Sequence, residues 1–274
     1  MRRALDLLFA GALVLALTFL CLPLLAIFLR VSPETLVRQL GSDVAIDALV
    51  VSFKTSLIAH VFILGVGTPA AYVLATRRFR GRRLVVALVE LPLVLPPAVA
   101  GLALFAALGQ RGLLGESLDA FGIRVPLTQG AVVLAVVFVA SPFYLRQAIA
   151  AFEAVDPNLL EAARTLGLRP LGAFRRVALP LAAGGLGAGS ALAWARGLGE
   201  FGATIMFAGS LQGVTQTLPL AVYDQLAGDF DVALAIGAFL VVVSGALLVV
   251  VKFLPSWSSF ASIFPFRSAP SGSS

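Results

Sequence analysis

Six long, nearly uninterrupted apolar stretches constrain this chain more than any other feature of its sequence. A transmembrane helix needs about 20 apolar residues, whereas a strand is usually much shorter. The stretches run at about residues 4–29, 52–76, 84–109, 128–150, 181–208 and 232–254. We therefore predict an all-α integral membrane protein, in which six transmembrane helices form a single domain over residues 1–254.

The composition excludes several other classes of protein. Hydrophobic residues make up 59% of the 274 residues and charged residues 12%, against about 45 to 50% and 25% in a soluble domain. The net charge of +6 arises from few charges of either sign, so we expect no nucleic-acid partner. Cys21 is the only cysteine and cannot form an internal disulfide or a multi-cysteine metal site. Cytosolic and disordered proteins are excluded, and no metal site is predicted.

The distribution of Lys and Arg predicts the orientation in the membrane, because short loops rich in these residues stay in the cytoplasm. One side of the predicted helices carries 14 of them and the other side 5, while Arg196 lies inside a span. Both termini are then cytoplasmic in a multi-pass protein of the cell (inner) membrane. Residues 255–274, rich in Ser, Pro and Phe, are predicted to be a flexible cytoplasmic tail.

The longest predicted cytoplasmic loop, residues 151–180, contains the signals of a short helix. Asp156 can cap it, Pro157 suits its first position, and Gly167 can close it in the left-handed conformation. Such a short helix is marginal in water and must pack on something. The sequence leaves open whether this helix packs on its own membrane domain or in a groove on a partner. The predicted apolar face consists of Leu159, Ala162, Ala163 and Leu166.

The literal sequence of this loop resembles the signature of ABC importer permeases. That pattern is Glu-Ala-Ala, three residues, Gly, nine residues, Ile, one residue, Leu-Pro. Here Glu161-Ala162-Ala163, Gly167 and Leu179-Pro180 fall at the same spacing, and Val177 replaces the Ile. The resemblance implies a coupling helix that is seated in a groove on an ATPase subunit. It assigns the coupling role to Glu161, Ala162, Ala163, Arg164, Leu166 and Gly167.

A motif for ATP is missing from the chain. A phosphate-binding Walker loop ends in Gly-Lys-Ser/Thr, yet the only lysines are Lys54, which follows Phe53, and Lys252, which follows Val251. We therefore expect no catalysis and no bound cofactor in this chain. The resemblance implies that ATP and Mg are bound by separate ABC ATPase subunits.

Further segments are similar to molybdate and tungstate permeases, and more loosely to sulfate permeases. They are Glu90–Gly101, Gly109–Gly115, Gly199–Gly209 and Thr215–Tyr223. The resemblance implies the type I importer fold, import of a tetrahedral oxyanion by alternating access, and an external oxyanion-binding protein. Molybdate is predicted first, with tungstate and sulfate left open. A permease homodimer is expected, and a heterodimer is left open.

Polar, Gly and Pro residues of these segments are the candidates for a pathway or gate. Prolines inside a span remove backbone donors and kink the helix, although many kinks have no gating role. Glycines in the fifth stretch allow close helix packing, and Gly185 and Gly189 form a small-xxx-small pair. The candidates are Pro96, Pro97, Gly199, Glu200, Gly202, Thr204, Gln216 and Thr217.

Three charged features have structural interpretations. Arg196 and Glu200 lie four residues apart in the predicted fifth span, so an intramembrane ion pair is predicted ahead of contact with substrate. Glu90 is expected to snorkel or to pair with the loop arginines. The arginine-rich run 77–83 is interpreted first as a topology determinant, and binding to a partner or to anionic membrane lipid is the second interpretation.

Two other classes compete with an ABC permease. An intramembrane protease would need a Gly-x-Ser-Gly turn or two spanning aspartates, and the sequence contains neither. An ATP-independent channel or secondary transporter would have no use for the signature loop. The sequence therefore favours the permease.

Overall fold

The computed structural model describes residues 2–253, and the predicted tail 255–274 lies outside them. Within these residues the regular structure is entirely helical, so the predicted all-α class is confirmed. In chain order the helices are α1 (Arg2–Arg30), α2 (Pro33–Leu40), α3 (Asp43–Thr76), α4 (Arg82–Val94), α5 (Pro97–Leu108), α6 (Gly115–Ala120), α7 (Gln129–Glu153), α8 (Pro157–Thr165), α9 (Pro170–Ala173), α10 (Leu179–Leu198), α11 (Gly202–Ala208), α12 (Leu218–Gln225) and α13 (Phe230–Phe253), with a π-helical turn, Phe174–Ala178, between α9 and α10.

Five helical segments of the described chain are long and apolar enough to cross a membrane, and a bent pair of helices makes a sixth if it counts as one span. The five lie at Leu8–Arg30, Asp43–Thr76, Gln129–Glu153, Pro170–Leu198 and Phe230–Val249. They overlap the predicted stretches. The second segment, α3, begins earlier than predicted, because its first turns contain polar residues that an apolar stretch does not include.

The third predicted span, residues 84–109, is not one helix. α4 and α5 are separated by Leu95 and Pro96, and their axes differ by 115°. Leu95 adopts an extended conformation, with φ −72° and ψ 135°, as the residue before a proline does. Pro96 and Pro97 have no N–H to donate to the preceding turn. The prolines therefore break the helix, where the sequence predicted only a kink.

The fifth predicted span, residues 181–208, is also divided. α10 ends at Leu198, and α11 begins at Gly202. Phe201 leaves the helical conformation, with φ −124° and ψ −57°. Arg196 therefore lies in the last turn of α10, whereas Glu200 lies in the break. The prediction that both occupy one continuous helix is wrong.

The described chain divides into two compact units. The first comprises residues 2–56, 97–135 and 198–246. Its core joins the start of α3 to α12 and α13 through six buried side chains, Ala45, Ala48, Leu218, Ala221, Val232 and Ile236.

The second unit comprises residues 57–96, 136–197 and 247–253. In it α3 meets α7 where the buried Tyr144 hydroxyl lies 2.6 Å from Thr68 Oγ1. α10 meets α7 at the predicted glycine pair. A Cβ on Gly185 would lie 2.5 Å from Ala151 Cβ, and one on Gly189 would lie 2.9 Å from Gln147 Cβ. The glycines thus let α10 approach α7 closely.

Candidate functional site

Both ends of α8 are fixed by local hydrogen bonds. At its start Asp156 Oδ1 accepts a hydrogen bond from Asn158 N at 2.9 Å, and Pro157 occupies the first helical position. At its end Leu168 N donates to Ala163 O, and Gly167 N donates to Arg164 O, both at 3.0 Å. These two bonds form a Schellman motif. Gly167, at φ +89°, supplies the left-handed residue that the motif requires.

The apolar residues of α8 divide between two faces. Leu160 and Ala163 are buried within the second unit, and Leu160 was not in the predicted face. Leu159 and Leu166 are 47% and 86% exposed, and Ala162 is exposed between them. The predicted single face is thus wrong in part. The helix packs on its own chain and also presents an apolar stripe of Leu159, Ala162 and Leu166, which we call the α8 stripe.

The flanking charges of α8 line an open cleft of about 570 Å³. Glu161 and Arg164 contribute from α8, Arg82 and Glu153 from the ends of neighbouring helices, and Arg78 from the loop between α3 and α4. Arg82 Nη2 forms an ion pair with Glu153 Oε1. A polar cleft therefore lies beside the helix that carries the signature residues.

The break between α10 and α11 is built around Glu200. Its side chain is 2% exposed, and Oε1 accepts a hydrogen bond from Ala203 N at 2.6 Å. The carboxylate thus satisfies one of the backbone donors that a helix N-terminus leaves free. Glu200 lies two residues before α11, which begins at Gly202, and its carboxylate is bonded to the first turn of that helix.

We expect Glu200→Ala to lower the free energy of unfolding by about 1 to 2 kcal/mol, because α11 loses its cap. Glu200→Gln keeps an acceptor oxygen and should therefore lose less stability than Glu200→Ala. Thermal unfolding of the purified protein in detergent measures both. Equal destabilisation by the two variants would contradict the capping role.

α5 and α11 contact each other almost backbone to backbone. A Cβ on Gly101 would lie 2.6 Å from Ala203 O, and one on Gly202 would lie 2.7 Å from Pro97 Cβ. Two predicted pathway residues, Pro97 and Gly202, are therefore adjacent. The two broken spans meet in the first unit through these short helices.

The predicted polar residues Thr204, Gln216 and Thr217 are all buried. Gln216 Nε2 donates to Asp224 Oδ2 at 2.6 Å, and Asp224 also accepts from Ser210 Oγ at 2.5 Å. Thr217 precedes α12 as its N-cap residue. The hydrogen bonds that Asp224 accepts from Gln216 and Ser210 tie the loop between α11 and α12 to α12.

A long-range hydrogen bond attaches this loop to α3. Leu218 N donates to Ser52 Oγ at 2.8 Å, in a buried position. Sequence reasoning did not select Ser52 or Asp224 as partners, because no local pattern links residues so far apart. Pro96 and Gly199 lie in the two helix breaks, and Arg196 lies in α10.

The comparisons with known proteins define the class of this chain. It matches the family described as "Binding-protein-dependent transport system inner membrane component" over residues 65–258, more than half of its length. The chain belongs to this family. It is a multi-pass inner-membrane component of a transport system and is not itself a catalyst.

Two curated relatives show which transport proteins of this family the chain resembles. The "Molybdenum transport system permease protein ModB" of Mycobacterium tuberculosis is 43% identical over 232 residues, which cover 85% of this chain and 88% of the relative. The "Sulfate transport system permease protein CysT" of Salmonella typhimurium is 35% identical over 250 residues, covering 88% and 90%.

A solved structure shows the fold. The crystal structure of "a bacterial ABC transporter involved in the import of the acidic polysaccharide alginate" aligns with a TM-score of 0.68 at 18% identity, covering 94% of this chain and 95% of that one. The predicted fold, that of a type I ABC importer permease, is confirmed.

Proposed function

We propose that this chain is the permease subunit of an ATP-driven ABC importer that carries molybdate into the cytoplasm. The observation that carries this proposal is the 43% identity to a molybdenum permease over 85% of the chain. The sulfate relative is less similar, at 35%. Tungstate is a tetrahedral dianion like molybdate, and it is the second substrate of the proposed importer.

The energy comes from separate ATPase subunits, which bind ATP and Mg. The α8 stripe supports this part of the proposal, because an exposed apolar surface on a short, well-capped helix is suited to contact with another protein. In the assembled importer α8 is the coupling helix, with Glu161, Ala162, Ala163, Arg164, Leu166 and Gly167 at the ATPase contact. This chain needs no cofactor of its own.

The remaining partners follow from the same assembly. Two copies of the chain form the pathway, and an external oxyanion-binding protein delivers the substrate. Both termini face the cytoplasm, together with α8 and the arginine-rich run 77–83. The excess of Lys and Arg on that side supports this orientation.

The mechanism is alternating access. ATP binding closes the ATPases, which move the coupling helices, and the paired membrane domains open outward; hydrolysis resets them. The short helices α5 and α11 contribute the gate, because helices that end inside a span can move without displacing a whole span. Their candidate residues are Pro96, Pro97, Gly199, Glu200, Gly202, Thr204, Gln216 and Thr217.

Uptake of radiolabelled molybdate tests the substrate and the energy source together. We expect cells expressing the permease, its ATPase and its binding protein to accumulate molybdate. Excess unlabelled tungstate should compete strongly and sulfate weakly. Cells whose ATPase has lost its catalytic residue serve as the control and should not accumulate the anion.

Two outcomes would contradict the proposal in different ways. Stronger competition by sulfate than by tungstate would show a sulfate permease. Full accumulation with the inactive ATPase would instead favour the alternative, an ATP-independent channel or secondary transporter.

A further inference from the structure

α4 and α7 are joined by two ion pairs of opposite sense. Arg82 of α4 pairs with Glu153 of α7, and Glu90 of α4 lies 3.7 Å, from Oε1 to Nε, from Arg146 of α7. Each helix thus contributes one cation and one anion. The sequence predicted that Glu90 snorkels or pairs with the loop arginines, and the structure pairs it with Arg146.

The spacing of the four residues matches two antiparallel helices. Arg82 and Glu90 are eight residues apart, and Arg146 and Glu153 are seven apart, which is about 12 Å and about 10 Å along a helix. The two pairs therefore lie about two turns from each other. Two contacts at separate heights resist both sliding and rotation of one helix against the other, which a single contact would not.

Arg82 also holds the end of α3. Its Nε donates to Leu74 O at 2.6 Å, and its side chain is 29% exposed. One guanidinium thus joins the end of α3 and the end of α7 to the first residue of α4. Because the planar guanidinium presents several fixed donors, Arg can hold two such partners in a defined geometry.

The same end of the second unit contains three aromatic rings in edge-on or tilted contact. The Tyr72 ring of α3 lies 5.4 Å from Phe152 of α7 and 4.8 Å from Phe174 of the π-helical turn, measured between ring centroids. Phe152 precedes α8 and Phe174 follows it along the chain. Both chain segments that flank α8 are therefore packed against α3, beside the ion pairs.

We propose that these two ion pairs, which we name the α4–α7 clamp, transmit the movement of the coupling helix to the broken third span. Glu153 is the last residue of α7, and α8 begins at Pro157. A force on α8 therefore reaches α7 across three residues. The clamp passes it to α4, which leads into the break at Leu95 and Pro96. Arg82, Glu90, Arg146 and Glu153 are positioning residues for transport.

This inference rests on the proposed function, and its test uses the charge complementarity of the pairs. The assembled importer is reconstituted in liposomes, and molybdate uptake and ATP hydrolysis are measured in the same preparation. Arg82→Glu and Glu153→Arg should each lower the number of anions carried per ATP by about fivefold or more, the size of a typical coupling effect. The double variant restores opposite charges and should recover most of the ratio.

The adjacent arginine provides the matched control. Arg83→Glu makes the same charge reversal in the first turn of α4, and Arg83 has no ion pair among the described residues. It should keep the wild-type ratio, so a general effect of charge on insertion is separated from loss of the clamp. Glu90→Arg, Arg146→Glu and their combination repeat the test at the second pair.

The variants have results that would overturn the proposed clamp, and the wild type has one that would refute the proposed function. Unchanged ratios in the single variants, or no recovery in the double variants, would overturn the proposed clamp. A loss of thermal stability with a normal ratio would leave a structural contact only and would also overturn it. Absence of ATP-driven uptake by the wild type would refute the proposed function instead. In that case recovery of the melting temperature in the double variants would still report whether the pairs interact.

Discussion

Uptake should fall about tenfold or more, with normal membrane insertion, when Gly167 is replaced by Asp. Gly167 has φ +89°, where an L-residue costs about 1 to 2 kcal/mol. The Schellman bonds that end α8 depend on this conformation. A charged side chain at this position also follows directly on Leu166, the most exposed member of the α8 stripe. We therefore expect loss of the ATPase contact, measured by co-purification of the two subunits and by uptake.

Gly122→Asp is the matched control for this prediction. Gly122 also has a positive φ, of +70°, and nothing lies within 4 Å of a Cβ at either glycine. The backbone strain and the added charge are therefore similar, but Gly122 is remote in sequence from α8. A second variant, Ala162→Asp, places the charge on the stripe without backbone strain and should reproduce the loss. Normal co-purification of both α8 variants would exclude α8 as the docking element.

Replacing Gly101 by Leu should disrupt the contact between α5 and α11. A Cβ at Gly101 would lie 2.6 Å from Ala203 O, 2.7 Å from Met206 Cβ and 2.9 Å from Ala203 Cα. Two of these atoms belong to the backbone, so no side-chain rotation relieves the clash. Overpacking of this kind costs about 1 to 3 kcal/mol. We expect a lower melting temperature in detergent and loss of most uptake.

Gly245→Leu provides the comparison, because Gly245 is an exposed glycine of α13 with nothing within 4 Å of a Cβ. It changes helix composition equally without touching another helix. We expect a melting temperature equal to that of the wild type, or slightly higher because Leu favours helix more than Gly does. Similar losses in the two variants would show that the close approach of α5 and α11 has no special importance.

The sequence predicted the elements whose signals are local. Apolar stretches of more than 20 residues predicted where membrane-length helices lie, because burial in a bilayer requires them. Asp156, Pro157 and Gly167 predicted both ends of α8, because caps act through bonds to neighbouring residues. The prolines at 96 and 97 predicted a distortion, although the pattern could not tell a kink from a complete break.

Features that depend on distant residues were not predictable in the same way. Arg82 and Glu153 are separated by 71 positions, and Leu218 and Ser52 by 166. Only the packing of helices brings such residues together. The orientation of α8 depends equally on packing, so the helical period alone predicted one apolar face where Leu160 and Ala163 turn inward and the α8 stripe turns outward. The sequence did not predict the break at Glu200, because the apolar stretch 181–208 continues through it without a proline.

The carboxylate of Glu200 has an electrostatic consequence for a transported anion. The first turn of a helix carries partial positive charge, and anions commonly bind there. In α11 a side chain of the protein already occupies that position, since Glu200 accepts from Ala203 N. The Ala203 amide is therefore already bonded within the chain, and it is not a free donor for a transported anion.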